Sequence, residues 1–368
     1  MQRTVLRWTL ITAGVAMLLL VATLAVPVQL WRTGETPQPA MQYLPPRAAS
    51  VQPARVWVDA DAVCGTGARR DPDDCLALLS LVGVRHIHVA GISTVFGNAP
   101  ISDTDKVMRE LVQALGSGSA RPAAAAVPVF RGCGAAAQKC LEDGGSLSAQ
   151  SGLRQALQRG SLEVLALGPL TNLAAVLVQD PALARQVTRV IAVMGRRPGH
   201  RFHPSENRAT GAMLFGHGPI FRDLNAVLDP QAVAVVLASG IPIVLIPYTA
   251  ARQLTITGSD LDRIALVGPA GRWVAERSRA WLEFWRSEAG LEGFYPFDLM
   301  AAAYVRDATH FACAQVTAWV GNDALLPWFG GGPALLVAQH TGLPAFPTAT
   351  AQAMYCDVVQ VRVDELFP

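Results

Sequence analysis

The sequence predicts an α/β protein with a single large domain, in which helices flank a mostly parallel, doubly wound sheet. Two observations support this fold class. First, five short runs rich in β-branched residues are continuously apolar, as in a sheet covered on both faces. These runs lie at 55–61, 86–94, 162–168, 187–195 and 241–247. Second, helical patterns alternate with the runs, as in parallel α/β sheets, where ligands bind beyond the carboxyl ends of the strands.

Start signals accompany several of the predicted helices. Ser102 precedes the helical pattern at 106–115, and Asp229, followed by a proline, precedes the pattern at 231–239. Asp71, also followed by a proline, is suited to cap the next apolar helix, because aspartate favours the N-cap and proline the first helical position. The alternation of strand and helix therefore continues through most of the chain.

The N-terminal part of the chain differs from the rest. Residues 8–31 contain no charged residue and are long enough to span a bilayer, and basic residues precede them. Residues 1–31 are therefore predicted to be a transmembrane anchor, with a cleaved signal peptide as the alternative. Residues 32–54 contain five prolines and are predicted to be a linker to the domain at 55–368. Both alternatives predict export, and the anchor places the domain on the extracytoplasmic side of the cytoplasmic membrane.

Composition excludes several classes of function. The chain has 368 residues, of which 16% are charged, and 30 basic residues nearly balance 28 acidic ones. This balance argues against a disordered chain and against electrostatic binding of nucleic acid. Only Lys106 and Lys139 are lysines. The phosphate-loop, zinc-protease and serine-hydrolase motifs do not occur.

The cysteines suggest local disulfides. An even count of six in an exported chain permits disulfides, and there is no C-x-x-C pair. Cys64 and Cys75 bracket a Gly/Arg-rich loop, and Cys133 and Cys140 bracket a Gly/Ala-rich stretch. We predict that these two pairs are bridged, the alternative being six buried free thiols.

Carboxylates gather where the first predicted strand ends. Asp59, Asp61, Asp71, Asp73 and Asp74 fall within 16 residues of a chain that has few charges. The later acids partly suit a helix N-terminus. Crowded carboxylates nevertheless repel each other unless a cation is present, and Ca²⁺ or Mg²⁺ prefers oxygen ligands.

This acidic segment resembles the N-terminal signature of the inosine-uridine-preferring nucleoside hydrolase family. The signature is VWVDAD followed by DPDDCLALL, and five further segments agree in order. These are TVFGNAP (94–100), LALGPLTNLAAVL (165–177), VIAVMG (190–195), LNAVLDPQAVAVVLASGIPIVLI (224–246) and YPFDLMAAAYV (295–305). The resemblance extends from about residue 55 to the C-terminus, and it implies Ca²⁺-dependent hydrolysis of the N-glycosidic bond of ribonucleosides or related ribosides to free base and ribose.

The resemblance also implies a metal site. Asp61 and Asp74 match calcium carboxylate ligands, and Asp298 matches a distant one. Thr171 matches the position that offers a backbone carbonyl to the metal. Asp61 further matches the general base that activates the metal-bound water.

Four other residues match substrate-binding positions of the family. Asp73 and Asn225 resemble binders of the ribose hydroxyls, and Asn98 falls in a block that lines the site. Asp223 stands where the family usually has a glutamate that holds the 5′-hydroxyl, and its side chain is shorter.

Three segments depart from the family's pattern. The loop after Asp61 is longer than the family's glycine turn and carries Arg69 and Arg70, which either reach an anion or remain in solvent. Phe297 stands where purine-cleaving members often have a histidine that protonates the leaving base. Residues 196–222 replace a shorter segment that holds a ribose-binding asparagine. Candidates there are Asn207 for ribose and His200, His203 and His217 for the leaving-group acid, with surface histidines as the alternative.

Two other functions fit parts of the sequence. A haloacid-dehalogenase-like phosphatase also begins with Asp-x-Asp, but it needs a downstream lysine beside an acidic pair, and neither Lys106 nor Lys139 introduces one. A membrane-tethered module that binds nucleoside or ribose without turnover is favoured by Phe297 and by the altered segment 196–222.

The predicted partners are a small nucleoside or riboside and, through the N-terminal helix, a membrane. Nucleic acid is excluded as a partner, and homo-oligomer formation stays open. Trp281 and Trp285 lie four residues apart on a helical pattern at 270–289. They are predicted to be core residues, with stacking on a nucleobase as the alternative.

Overall fold

The computed structural model describes residues 42–43, 53–67, 69–117, 127–136, 139–140, 148–198, 223–322, 333–338 and 350–367. Within these ranges, no helix is long and apolar enough to cross a bilayer. The apolar segment 8–31 lies outside them, so membrane attachment and export stay predictions. The boundaries of the predicted anchor and linker stay predictions as well.

Ten strands of the described chain form one sheet, and two more form a small hairpin. The strands of the main sheet are β1 (Gln42–Tyr43), β2 (Ala54–Ala60), β3 (Ile87–Thr94), β4 (Val129–Arg131), β5 (Leu162–Ala166), β6 (Val187–Ala192), β7 (Ile243–Leu245), β10 (Phe311–Asn322), β11 (Pro333–Ala338) and β12 (Thr350–Val358). The hairpin pairs β8 (Ile256–Thr257) with β9 (Gly293–Phe294). The five predicted strands are β2, β3, β5, β6 and β7. Two residues of the segment predicted as a linker form β1.

The strand order of the main sheet is β1-β10-β12-β7-β6-β5-β2-β3-β4, with β11 paired to β10. All neighbours from β12 to β4 are parallel, whereas β10 pairs antiparallel with β1, β11 and β12. The sheet is therefore mostly parallel, as predicted. The antiparallel end is an addition that the sequence patterns did not reveal.

Helices cover both faces of this sheet. They are α1 (Asp73–Leu81), α2 (Ile101–Gly116), α3 (Ser148–Gln158), α4 (Thr171–Gln179), α5 (Leu224–Leu228), α6 (Pro230–Ala238), α7 (Tyr248–Ala251), α8 (Gly258–Ala265), α9 (Pro269–Phe284), α10 (Phe297–Arg306) and α11 (Val363–Leu366). Along β2, Val56 and Val58 belong to one apolar cluster and Trp57 to another. The alternation explains why the strand has apolar residues on both faces: each face packs against its own helical layer.

Two of the predicted helix starts differ in the structure. Helix α2 begins at Ile101 after Pro100, without a side-chain cap, because Ser102 already lies inside the first turn. Helix α1 begins at Asp73, with Pro72 at the N-cap position. Asp71 still accepts a hydrogen bond from the Asp73 backbone N–H (3.2 Å), so its carboxylate serves this end one residue further out than predicted. Asp229 caps α6 as predicted, accepting from the Ala232 N–H at 3.0 Å.

The strand order also locates a crevice. From β2 the chain passes to β3 on one side, and β5 is the neighbour on the other side. The carboxyl ends of β2 and β5 thus lie at the point where the order reverses, where open α/β sheets bind their ligands.

All six cysteines are paired. Cys64–Cys75 and Cys133–Cys140 are bridged as predicted. A third bridge joins Cys313 of β10 to Cys356 of β12, two residues that face each other in the antiparallel register.

Candidate active site

A pocket of about 280 Å³ opens at the carboxyl ends of the parallel strands. Segments that follow β2, β5, β6 and β7 each supply part of its lining. The lining residues are Val63, Arg69, Arg70, Asp71, Asp73, Asn98, Leu167, Val193, Met194, Asp223, Leu224, Asn225, Tyr248, Trp281, Phe297 and Asp298. Several of these residues were predicted as site residues, and they come from distant parts of the chain.

Three buried carboxylates meet at the base of this crevice. Asp61, Asp74 and Asp298 each offer one oxygen, and these atoms all lie within 4.8 Å of one another. Asp61 follows β2, Asp74 lies in the first turn of α1, and Asp298 lies in the first turn of α10. Asp74 Oδ2 is buried and has no hydrogen-bond partner in the described part of the chain. An orphaned anionic oxygen facing two further carboxylates suits a hard cation such as Ca²⁺.

The electrostatics of this group favour either protons or a cation. Burial is the main cause that raises the pKa of Asp61 to about 8, and the neighbouring Asp73 adds to the rise. Burial and the surrounding carboxylates also raise the pKa values of Asp74 and Asp298 well above the usual range. A positive charge between these groups would lower all three values, since it stabilises the ionised forms.

Asp61 is fixed by hydrogen bonds at both carboxylate oxygens. Asn98 donates from its backbone N–H to Oδ2 (2.8 Å) and from its Nδ2 to Oδ1 (3.2 Å). The Asp61 backbone N–H in turn donates to Asp74 Oδ1 at 3.1 Å. Asn98 lines the pocket as predicted, but its amide side chain holds Asp61, so it orients a carboxylate of the acidic group.

Asp73 touches both the pocket and the backbone. Its Oδ1 accepts from the Asp74 N–H (3.1 Å), and its Oδ2 accepts from the Asp298 N–H (3.0 Å). Asp73 therefore joins the starts of α1 and α10, which carry two members of the acidic group. Asp71, which the sequence suggested as a helix cap and as one of the crowded carboxylates, also lines the pocket. Its position beside a cluster of acids was the available signal.

Asp59 lies apart from this group, because it still belongs to β2, whereas Asp61 follows the end of the strand. Its Oδ1 accepts from Ser93 Oγ and from Asn172 Nδ2, both at 2.7 Å. Burial raises the pKa of Asp59 to about 7. Asn172 also donates to the Thr94 carbonyl (3.0 Å). Asp59 thus links β2 to β3 and α4, and this structural role leaves Asp61 to face the crevice.

Asp223 and Asn225 also line the pocket. Asp223 accepts from the Gly195 N–H (2.7 Å) and caps α5 through the Ala226 N–H, and burial raises its pKa to about 6. Asn225 donates from Nδ2 to the carbonyls of Leu167 and Val193. Because these contacts engage the amide nitrogen, the Asn225 carboxamide oxygen is left to accept a hydrogen bond from a ligand hydroxyl.

Among the described residues, Thr171 is not one of those that line the pocket. It opens α4, and its hydroxyl donates to Asp229 Oδ2 at 2.8 Å. Its predicted role, which concerns the backbone carbonyl, stays a prediction. The candidates Asn207, His200, His203 and His217 lie outside the described residues.

Aromatic and cationic side chains form the remaining wall. Phe297 and Trp281 line the pocket, whereas Trp285 is 1% exposed and lies in the core. The prediction that both tryptophans are core residues is thus right for Trp285, while Trp281 serves both the core and the pocket. Tyr248 was missed by the sequence analysis. Its place three residues after the end of β7 was a signal that could have indicated it.

The fold and the site define an α/β protein with a buried acidic group beside a pocket that suits a small molecule. The family model described as "Inosine-uridine preferring nucleoside hydrolase" matches residues 56–360. The chain belongs to this family.

Several known proteins are similar to the chain. The "Pyrimidine-specific ribonucleoside hydrolase RihA" of an Enterobacter species is 28% identical over 162 residues, which are 44% of this chain and 46% of the relative. The RihA protein of Salmonella typhimurium is 27% identical over 173 residues, 46% of this chain and 49% of the relative. The chain thus spans about half the length of the curated relatives it matches.

Solved structures agree with the fold. A plant nucleoside hydrolase has a TM-score of 0.65 and 20% identity, covering 86% of this chain and 98% of that one. A purine-preferring ribonucleoside hydrolase from Gardnerella vaginalis has a TM-score of 0.61 and 18% identity, covering 85% and 95%. These similarities extend over nearly the whole described domain and concern its architecture.

Proposed function

We propose that the chain is an N-glycosidase that hydrolyses ribonucleosides or related ribosides to free base and ribose, with Ca²⁺ as its cofactor. The observation that carries the proposal is the buried group of Asp61, Asp74 and Asp298 at the base of a small-molecule pocket. Membership of the family supports it, and so do the hydrolase names of the relatives.

The three carboxylates would hold the cation, with Asp74 Oδ2 as the atom that most needs it. When bound, Ca²⁺ would supply a positive charge that offsets the carboxylates and favours oxygen ligands such as water and ribose hydroxyls. Oxygen-only donors and the flexible coordination of Ca²⁺ support this ion over Zn²⁺, which prefers nitrogen and sulfur ligands.

Asp61 is the proposed general base. Its carboxylate accepts a proton from the attacking water while the water oxygen forms a bond to C1′ of the ribose and the bond from C1′ to the base breaks. The hydrogen bonds from Asn98 hold the Asp61 carboxylate in one orientation for this transfer. The nearby carboxylates stabilise the positive charge that develops on the ribosyl ring.

Phe297 sets a condition on the leaving group. A phenyl ring donates no proton, and a positioned acid is worth about 10²–10⁴-fold in rate. We therefore expect the pocket to favour an aglycone that departs without being protonated. The same observation supports a second candidate function, a module that binds a nucleoside or ribose without turnover.

The test uses the full-length chain with Ca²⁺ and 4-nitrophenyl riboside, whose leaving group needs no acid. We expect release of ribose and 4-nitrophenolate, and loss of both on chelation. Asp61→Asn and Asp298→Asn should weaken Ca²⁺ binding in calorimetry and lower kcat by roughly 10²–10⁴-fold, as expected for loss of a general base or its supports.

The matched control is Asp262→Asn, because the Asp262 side chain is 68% exposed and pairs with Arg279 away from the pocket. This variant should retain both properties. Confirmed Ca²⁺ binding without release of ribose from a broad panel of ribosides would instead support the binding module.

A further inference from the structure

The pocket lining carries groups of both charges. Asp223 and Asn225 contribute oxygen acceptors, which suit hydroxyl donors. The loop after β2 adds two guanidinium groups to the lining, Arg69 and Arg70. Guanidinium nitrogens only donate hydrogen bonds and keep their positive charge at any physiological pH. The part of the lining that this loop supplies is therefore complementary to an acceptor that carries negative charge.

Arg69 belongs to the aromatic wall. Its guanidinium lies over the Phe284 ring, 5.4 Å from the centroid, and Phe284 stacks on Trp281 at 4.9 Å. Glu288 approaches Arg69 at 3.9 Å, but the Arg69 side chain stays 68% exposed, so this pairing is weak. Trp281 carries the wall into the pocket, and Phe297 lies on the same lining. A flat ring placed against this wall would have a cation at its edge.

Arg70 reaches the pocket from the same loop. Its Nη1 donates to the Asn98 carbonyl oxygen. In the described part of the chain, this is the single hydrogen bond of its guanidinium, which has five N–H donors. Asp71 follows in sequence, but its carboxylate contacts the Asp73 backbone N–H and so faces the acidic group. Arg70 thus keeps donors for a ligand.

The Cys64–Cys75 bridge holds this loop in place. It joins the residues just after β2 to α1, across a separation of 11 residues that includes both arginines. An ordered loop presents its cations at a lower entropic cost than a free one. The bridge therefore restrains the two arginines at their place in the pocket lining.

We propose that this loop makes the pocket select an aglycone that carries a negative charge, such as a carboxylate on a flat ring, with Arg69 and Arg70 as its partners. The proposal rests on the proposed function, since it names the leaving group of that reaction. It also accounts for Phe297, because a cationic ring nitrogen in the riboside leaves as a neutral base. The electron pair of the C1′–N bond stays on that nitrogen, water supplies the new C1′–O bond, and one proton is released.

A matched pair of ribosides tests the charge alone. The 3-carboxypyridinium and 3-carbamoylpyridinium ribosides have nearly the same shape, and neither ring nitrogen needs a proton to leave. We expect kcat/KM for the carboxylate to exceed that for the amide about tenfold or more, as a charge-assisted hydrogen bond predicts. The double variant Arg69→Gln/Arg70→Gln should bring the ratio close to one. Because the ratio compares two substrates of one variant, general damage to the site cancels.

Arg272→Gln is the control, since Arg272 is exposed on α9 and does not line the pocket; it should keep the ratio. A native ratio near one, or a ratio that survives in the double variant, would overturn the proposal. So would a preference for the 5′-phosphate of the amide riboside that the double variant loses, because the arginines would then serve a phosphate.

Binding of the free rings separates this proposal from the proposed function. If the chain releases no ribose from any riboside, including 4-nitrophenyl riboside, the proposed function fails. Calorimetry with pyridine-3-carboxylate and pyridine-3-carboxamide then decides the selectivity. Tighter binding of the carboxylate that is lost in the double variant supports the anionic subsite, and equal binding overturns it.

Discussion

The carboxylate of Asp61 occupies a space that two glycines leave open. A Cβ at Gly97 would lie 1.8 Å from Asp61 Oδ2, and one at Gly168 would lie 3.2 Å from Asp61 Cβ. Neither glycine has a positive φ, so the space matters here and not the backbone conformation. Together with the two hydrogen bonds from Asn98, this packing leaves Asp61 a single position close to Asp74 and Asp298.

Gly97→Ala is expected to displace Asp61 and to weaken the metal site. Overpacking of this kind costs about 1–3 kcal/mol. Part of this cost should appear as a Ca²⁺ dissociation constant raised by roughly tenfold, since about 1.4 kcal/mol corresponds to a factor of ten. Calorimetric titration with Ca²⁺ measures the effect. Gly258→Ala is the control, because a Cβ at Gly258 would lie 3.5 Å from its nearest neighbour, Arg286 Nη2, which is an ordinary van der Waals distance. Unchanged Ca²⁺ affinity in Gly97→Ala would contradict the packing argument.

Short sequence motifs predict which acidic residues come together in the fold, but they do not predict the hydrogen-bond partners that fix these residues. Asp61, Asp74 and Asp298 follow a strand end or open a helix, and the topology of a parallel sheet brings such positions to one edge. The partner of Asp223 is the Gly195 N–H, which is 28 positions away in sequence. Contacts of this kind depend on how loops fold back over the sheet, and residue spacing does not encode that path.

The loop between β2 and α1 connects the acidic group to Arg69 and Arg70 of the pocket lining. Asp61 begins the loop and Asp74 lies in the first turn of α1, and the bridge joins Cys64, three residues after Asp61, to Cys75, which directly follows Asp74. The bridge therefore restrains the ligand-bearing backbone as well as Arg69 and Arg70. A bridge that closes a short loop stabilises a fold by about 3 kcal/mol or less.

Removal of this bridge should affect stability and metal binding together. In the pair variant Cys64→Ser/Cys75→Ser, we expect the free energy of unfolding to fall by about 2–3 kcal/mol. We also expect weaker Ca²⁺ binding, because Asp74 loses the covalent restraint on its neighbour. Denaturant unfolding and Ca²⁺ titration measure the two effects.

Cys313→Ser/Cys356→Ser provides the comparison for this loop. That bridge joins β10 to β12 at the antiparallel end of the sheet, and no residue of the acidic group lies on either strand. Its removal should lower stability without changing Ca²⁺ affinity. Equal losses of Ca²⁺ affinity in both pair variants would show that the loop bridge has no special link to the metal site.

The parallel strands were predictable and the antiparallel ones were not, for a physical reason. Strands β2, β5 and β6 are mostly buried on both faces, so most of their residues are apolar. Strand β12 has exposed and half-buried positions among its buried ones, which weakens its signal. Its register with β10 depends on a pairing between segments distant in sequence, and local patterns do not specify such a pairing.

The whole domain places a set of ionisable groups between two apolar layers. Asp59, Asp61, Asp73, Asp74 and Asp298 are each less than 5% exposed. Three of them, Asp61, Asp74 and Asp298, bring carboxylate oxygens within 4.8 Å of one another. A fold that buries this much potential negative charge is stable only when protons or a cation neutralise it.

This dependence predicts opposite effects of pH on the free and the Ca²⁺-loaded protein. The pKa of Asp59 rises from 3.8 to about 7 and that of Asp61 to about 8. Between pH 4 and pH 8 the folded, metal-free chain therefore holds protons that the unfolded chain has lost. The free energy of unfolding must fall as pH rises through this range. In the presence of chelator, Tm should decrease from pH 5 to pH 8.

Ca²⁺ should reverse this loss of stability at high pH, because it replaces the protons of Asp61, Asp74 and Asp298. Its apparent affinity should rise with pH, binding should release protons, and the increase in Tm on adding Ca²⁺ should be larger at pH 8 than at pH 5. Scanning calorimetry across this range, with titrations in buffers of different ionisation enthalpy, measures all three quantities. Asp61→Asn removes one of the titrating ligands, so its metal-free Tm should depend less on pH than that of the native chain. A Tm of the chelated native protein that stays constant or increases from pH 5 to pH 8 would contradict the burial of these carboxylates in the folded state.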